Sequence, residues 1–338
     1  MGSPIIISLS LCLALILPSF AKVSVQLPGL GKVIGNTNTT LRTGKTFMQF
    51  RGIPYAQAPS GRNQFKAPVK RQPWSTFQAT EYGRVCPQLK EFNRLPNLMT
   101  GEDREDCLSL NVFTKNLNAK QPVIFYVHGG NLKDGFASQY PPGYLLEQDI
   151  VLVVPQYRLG VFGFAGTKSY KMPGNLGFMD IMLALEWVQQ HISAFGGDKS
   201  NVTVFDESSR GDLGGALLAS PKTPASSFHR LITQSGSAVD TVLVNEDPIG
   251  QVQRVCRALR CTQCERIEDM ETCVVNADLW NILRAGDSEN YGLIVGDFYG
   301  TIPQTPAQLV GTSNIDGPTR TSFTKHDGSV VEAYLYEF

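Results

Sequence analysis

The chain has 338 residues, 42% hydrophobic and 18% charged, with basic and acidic side chains balanced at thirty each. That is enough for one large domain or two small ones with a substantial core. Zero formal charge and the lack of any basic cluster give no electrostatic footprint for nucleic acid or an anionic membrane surface.

Residues 5–17 form a mostly apolar run, too short for a membrane span, and Ser19-Phe20-Ala21 places small residues at the −3 and −1 positions. Residues 1–21 are therefore expected to be a secretory signal peptide cleaved before Lys22, although only the amino terminus supplies positive charge. No second apolar run of membrane length follows, so the mature chain is expected to be extracellular without a span. From about residue 32 to 247 the pattern is α/β. Residues 123–127 read as a short apolar strand ending in His128-Gly129-Gly130, and residues 149–154 as a second strand apolar on both faces. Phe178, Met182, Leu185, Trp187, Val188 and Ile192 recur at helical spacing, and Gly196-Gly197 ends that helix. A strand at 202–205, a short helix through Ala219 and a strand at 230–233 follow. This alternation predicts a mostly parallel sheet with helices on both faces. Beyond residue 250 cysteines cluster, and from 300 to 328 no strong period survives.

Removal of the leader takes Cys12 with it and leaves Cys86, Cys107, Cys256, Cys261, Cys264 and Cys273, an even number that suits disulfides in an exported chain. Cys261 and Cys264 spell C-x-x-C, which could mean zinc or redox chemistry. No histidine lies nearby, and a secretory route disfavours free thiolates, so the cluster is read as structural, with no metal and no cofactor. Of two sequons, Asn38 is expected to sit in a polar loop and accept a glycan, whereas Asn201 opens a core strand and is expected to stay unmodified.

The run NVTVFDESSRGDLGG, residues 201–215, carries a strand into Ser208 and then into a helix start. This is the layout of a Gly-x-Ser-x-Gly nucleophile elbow, except that Asp206 and Arg210 occupy the glycine positions. Both side chains are expected to crowd the turn at roughly 1–3 kcal/mol each, and to widen it even if they pair. Arg210-Gly211-Asp212 spells an integrin-binding tripeptide, read as coincidence because it falls at a buried helix start.

The segments FRGIPYAQAP (50–59), EDCLSLNVFTK (105–115), VIFYVHGGN (123–131), DIVLVVPQYRLGVFGF (149–164), GNLGFMDIMLALEWVQQHISAFGGDKSNVTVFDES (174–208) and LITQSGSA (231–238) closely resemble the type-B carboxylesterase and cholinesterase family of α/β-hydrolases. The resemblance implies the α/β-hydrolase fold. Because members of that family are longer, residues 22–338 are expected to be a partial domain with its C-terminal part incomplete. It implies Ser208 as the nucleophile, with the N–H groups of Gly130, Asn131 and Ser209 as oxyanion donors. Asn131 replaces the family's third glycine and is expected to crowd the carbonyl position, and His128 is read as supporting this loop. Asp316 falls at the acid position if 309–317 is the family's acid loop. A competing alignment puts 306–309 in the helix before that loop and leaves no acid. The family's base follows a strand like residues 333–338, where the sequence stops, so the histidine base is expected to be absent. His326 precedes that strand, and His191 and His229 match no catalytic position. The resemblance also implies the bridges Cys86–Cys107 and Cys261–Cys273. It accounts for neither Cys256 nor Cys264, and whether these pair with each other is open. The expected function is that of a secreted, catalytically impaired homologue acting by binding a partner the sequence does not identify. One alternative is an active hydrolase of small esters using Ser208, with a base such as His326. Another is a piece of a longer gene product.

Overall fold

The computed structural model describes residues 21–89, 105–207, 213–236, 243–312, 319–322 and 333–337. Among them, eleven strands form one sheet: β1 (Lys22–Leu27), β2 (Gly31–Thr39), β3 (Thr46–Pro54), β4 (Thr76–Gln78), β5 (Ser109–Thr114), β6 (Gln121–Val127), β7 (Val151–Pro155), β8 (Gly197–Glu207), β9 (Arg230–Gln234), β10 (Thr319–Ser322) and β11 (Ala333–Glu337). The α-helices are α1 (Gly160–Phe164), α2 (Leu176–His191), α3 (Leu213–Ala219), α4 (Pro248–Ala258), α5 (Ile267–Asn276), α6 (Leu279–Ala285) and α7 (Pro306–Thr312). Strand order is β1-β2-β3-β5-β7-β6-β8-β9-β11-β10, with β4 beside β2.

The sheet is mixed, and its parallel part is narrower than the sequence pattern predicts. Only β7, β6, β8 and β9 form a parallel block, with β4 adding a short parallel pair on β2. The flanks are antiparallel. The crossovers explain the division, because α1 and α2 connect β7 to β8 and α3 connects β8 to β9. Parallel neighbours need such crossovers, whereas β1 to β3 are joined by short turns. β5 and β7 are buried along their whole length, as strands covered on both faces must be. Asn38 lies near the end of β2, opposite Phe47 of β3, and not in a loop as expected; its side chain is exposed. No helix among the described residues is long and apolar enough to cross a membrane.

The deepest polar group in the core is an ion pair. Arg158 follows β7 and Asp180 lies on α2, and both are almost fully buried. The Arg158 backbone N–H and Nε donate to Asp180 Oδ2 at 3.0 and 2.8 Å, and Nη2 donates to Oδ1 at 2.7 Å. Nη1 reaches the Lys66 carbonyl at 2.8 Å. Glycine is required where other backbone crosses this residue: a Cβ at Gly163 or Gly177 would lie 2.2 or 2.3 Å from the Arg158 carbonyl oxygen.

At the start of α2, Asn175 adopts a left-handed conformation with φ 54°. Its side chain donates to the Ile294 carbonyl at 2.9 Å and accepts from the Ile294 N–H at 2.8 Å, fastening the later segment to the helix start. Three disulfides use all six cysteines of the described residues: Cys86–Cys107, Cys256–Cys264 and Cys261–Cys273. The two members of the C-x-x-C thus bond to different partners. Their interleaved bridges tie α4 to the following loop and that loop to α5.

An Asp180→Ala substitution leaves the Arg158 guanidinium buried without its counter-charge. It should cost about 3–5 kcal/mol of unfolding free energy, measured as a shift in the urea midpoint.

Candidate active site

Chain order reverses at β6, because β7 lies on one side of it and β8 on the other. In open α/β sheets such a switch point opens a crevice at the carboxyl ends of the strands. Val127, the last residue of β6, pairs directly with Asp206 of β8. The His128-Gly129-Gly130 loop and the end of β8 at Glu207 are therefore neighbours at the sheet edge. Ser208, Ser209, Arg210 and the rest of the tripeptide lie outside the described residues, as do Asp316 and His326.

The loop after β6 is held tightly. Gly130 has φ 127°, and a Cβ there would sit 1.8 Å from the Asp134 carbonyl oxygen, so only glycine fits. Its own carbonyl accepts from the N–H groups of Lys133 and Asp134 at 3.0 and 2.9 Å, closing a turn. Asn131 and Leu132 follow with φ near the left-handed region, at 57° and 59°. Asparagine tolerates that conformation; leucine there costs roughly 1–2 kcal/mol. The loop persists because both ends are anchored: the Tyr157 hydroxyl donates to the His128 carbonyl at 2.6 Å, and Gly160 N–H donates to the Leu132 carbonyl at 2.7 Å. Among the described residues, the amides of Gly130 and Asn131 make no hydrogen bond. The Asn131 side chain is exposed.

His128 is a supporting residue. Its ring stacks on Tyr157 with centroids 4.4 Å apart, and Nδ1 lies 3.0 Å from the Gly129 carbonyl oxygen. Burial lowers its pKa to about 4, so the ring is neutral across the physiological range. The other histidines of the described residues are packed in a similar way. His191 lies against Trp187, and His229 Nδ1 accepts the Val202 N–H at 3.3 Å.

Asp206 is accommodated in a way the sequence did not indicate. Asp206 pairs in unshifted register with Val127 of β6 and Thr233 of β9, and the β9 ladder runs on to Glu207, so the aspartate side chain does not disrupt the strand. Its carboxylate is buried and accepts the Gly214 N–H at 3.1 Å, near the start of α3. An acceptor there satisfies one of the helix's orphan donors and faces its positive end. Gly214 is needed for this approach, because a Cβ would lie 3.2 Å from the Asp206 Cβ and 2.6 Å from Leu231 Cδ1. The only sequence signal was a carboxylate eight residues before a Gly-Gly pair. The charge is felt by neighbours: burial first, then Asp206, raises the pKa of the Tyr157 hydroxyl. The adjacent Glu207 accepts from the Tyr140 hydroxyl at 3.3 Å.

Residues 309–312 of the supposed acid loop are helical, within α7. Beside Asn131 opens a cleft of about 390 Å³ lined by Lys133, Asp134, Asp287 and Glu289. Lys133 pairs with Asp287, and Glu289 is engaged by Arg254 at 3.0 Å. This lining is more polar than the apolar walls typical of small-molecule sites.

A glycine-bearing loop after β6, beside the end of β8 at the switch point of an α/β sheet, is the layout of an α/β-hydrolase. The carboxylesterase family model matches residues 21–338, and the chain belongs to that family. It is 35% identical over 301 residues to carboxylesterase 3 of Homo sapiens, covering 83% of this chain and 51% of that protein. It is 29% identical over 335 residues to glutactin of Drosophila melanogaster, covering 93% of this chain and 32% of that protein. Among solved structures it resembles juvenile hormone esterase of Manduca sexta, with a TM-score of 0.75 and 24% identity over 86% of this chain and 57% of that one. The chain spans about half the length or less of these curated relatives.

His128 predicts an acid-sensitive fold. The unfolded ring takes a proton near pH 6.5 and the buried ring only near pH 4. Its contribution to stability is therefore complete above pH 6.5 and declines by about 3 kcal/mol as pH falls to 4. His128→Phe, which keeps the stack on Tyr157, should flatten urea midpoints across that window. His191, also lowered by burial, leaves a smaller slope.

Proposed function

We propose that the protein is a secreted, catalytically impaired carboxylesterase homologue that acts by binding. The observation that carries this reading is the Asp206 carboxylate, buried at the first glycine position of the elbow and bonded to the Gly214 N–H. Ester attack develops negative charge on an oxyanion, and preorganised donors aimed at that charge commonly supply the largest part of catalysis. A buried carboxylate beside the nucleophile turn opposes that charge in a region of low dielectric. It also occupies an amide near the helix start. Among the described residues, no histidine is placed as a base: His128 is neutral and buried, His191 packs on an indole, and His229 serves the β8 edge. A serine without a base is a weak nucleophile near neutral pH. Three disulfides support passage through an oxidising compartment, and exposed Asn38 suits glycosylation there.

One observation favours the second reading, an active hydrolase of small esters through Ser208. The Gly130 and Asn131 amides are uncommitted within a rigid loop, so part of an oxyanion hole is intact.

The two readings separate with a fluorophosphonate probe and peptide mass spectrometry. No adduct is expected at Ser208 under conditions that label a competent carboxylesterase fully. Hydrolysis of p-nitrophenyl acetate should match that of a Ser208→Ala variant. An adduct at Ser208, or hydrolysis lost in that variant, would establish catalysis instead.

A further inference from the structure

A second cleft lies away from the elbow, on the segment that runs from β3 through β4. It has a volume of about 510 Å³, and its lining includes Arg62, Asn63, Arg71, Gln72, Trp74 and Phe77. No carboxylate lines it.

The aromatic wall is fixed in place. The Trp74 N–H donates to the Leu30 carbonyl at 2.8 Å, and its indole Nε1 donates to the Lys32 carbonyl at 3.0 Å. The indole edge lies against Gly31, where a Cβ would stand 2.7 Å from Trp74 Cδ1; Gly31 has φ 140°, which glycine adopts readily. Phe77 leans on the indole with centroids 5.6 Å apart at 51°. Trp74 and Phe77 are both half-buried, so each keeps part of its surface open to solvent. An indole held by its own N–H and by backbone beneath it loses little freedom when a ligand stacks on it.

The cations are uncommitted. Arg51, Arg158, Arg254, Arg257 and Arg266 each pair with a carboxylate. Among the described residues, the Arg62 and Arg71 guanidinium groups have no ion-pair or hydrogen-bond partner, and neither do the side-chain amides of Asn63 and Gln72. The Arg71 backbone is anchored by its N–H to the Tyr55 carbonyl at 3.2 Å, which fixes the root of that side chain.

We propose that this cleft binds an acidic saccharide, a sugar unit carrying sulfate or carboxylate. The C–H face of a pyranose ring, weakly positive, suits the negative face of an indole. A planar guanidinium reads a sulfate or carboxylate through paired N–H donors. Side-chain amides at the rim match ring hydroxyls, which both donate and accept. A simple anion would need no aromatic wall. A nucleic acid strand would need cations repeated along its backbone, whereas here they converge on one cleft of a chain with zero formal charge. The site shares no residue with the elbow or the loop after β6, so it stands whether or not Ser208 reacts.

Titration calorimetry of the intact protein with a heparin-derived tetrasaccharide tests this. Parallel arms use its fully desulfated, uronate-bearing form, cellotetraose, inorganic sulfate and a short single-stranded oligonucleotide. Binding of a sulfated or uronate tetrasaccharide is expected, with cellotetraose weaker by about tenfold or more, and the two acidic arms show which group is read. The double variant Arg62→Gln/Arg71→Gln, at partly exposed positions that leave the core intact, should weaken binding by about tenfold or more. Trp74→Ala should weaken it further if that variant folds. The proposal fails if neither acidic tetrasaccharide binds at millimolar concentration, or if the arginine variant binds equally well. It fails too if inorganic sulfate or the oligonucleotide binds as tightly as the saccharide.

Discussion

The Arg158–Asp180 ion pair is the constraint from which the site hangs. Removing two charges from water is costly, and their attraction offsets that cost only when every remaining donor is matched. Here the guanidinium meets the carboxylate twice and also reaches the backbone of the 64–66 segment. Its immediate neighbours carry the consequence upward. Tyr157 holds the His128 carbonyl, and Gly160 holds the Leu132 carbonyl. The strained loop after β6 is thus suspended at both ends from residues flanking one buried arginine, and this is how left-handed Asn131 and Leu132 are maintained.

That dependence explains which parts were readable from sequence. Continuous apolar runs gave β6 and β7, helical spacing gave α2, and the strand-serine-helix layout gave β8 and α3. Each of these rests on a local period or a turn residue. The ion pair was not legible, because 22 residues separate its members and neither stands out in its own segment. The antiparallel flanks were missed because an apolar strand does not reveal the direction of its neighbour. Asp206 was legible as an oddity but not as a solution: side-chain volume argued for a clash, whereas its carboxylate and the Gly214 amide, eight residues apart, become partners. The cleft around Trp74 left no motif, because its walls are joined by backbone contacts between distant segments, among them Gly31 against Trp74 and the β2–β4 pairing.

Within the carboxylesterase family, this chain separates scaffold from chemistry. The sheet order, the switch point, the tight glycines around Arg158 and the loop anchors are features of folding, and all are in place. Asp206 and Asn131, which stand where the resembling motifs carry glycine, both lie at the crevice end of β8 and β6. Fold is set by burial and backbone hydrogen bonds across the chain, whereas activity depends on a few groups at one crevice.

The Asp206 carboxylate also gives the substitution a direction. With it, the fold gains an internal acceptor for the Gly214 N–H, and Leu231 and Val204 close around the helix start. An Asp206→Gly change would remove this buried hydrogen bond. Selection for folding alone therefore favours keeping the carboxylate at this residue, whatever chemistry the crevice performs.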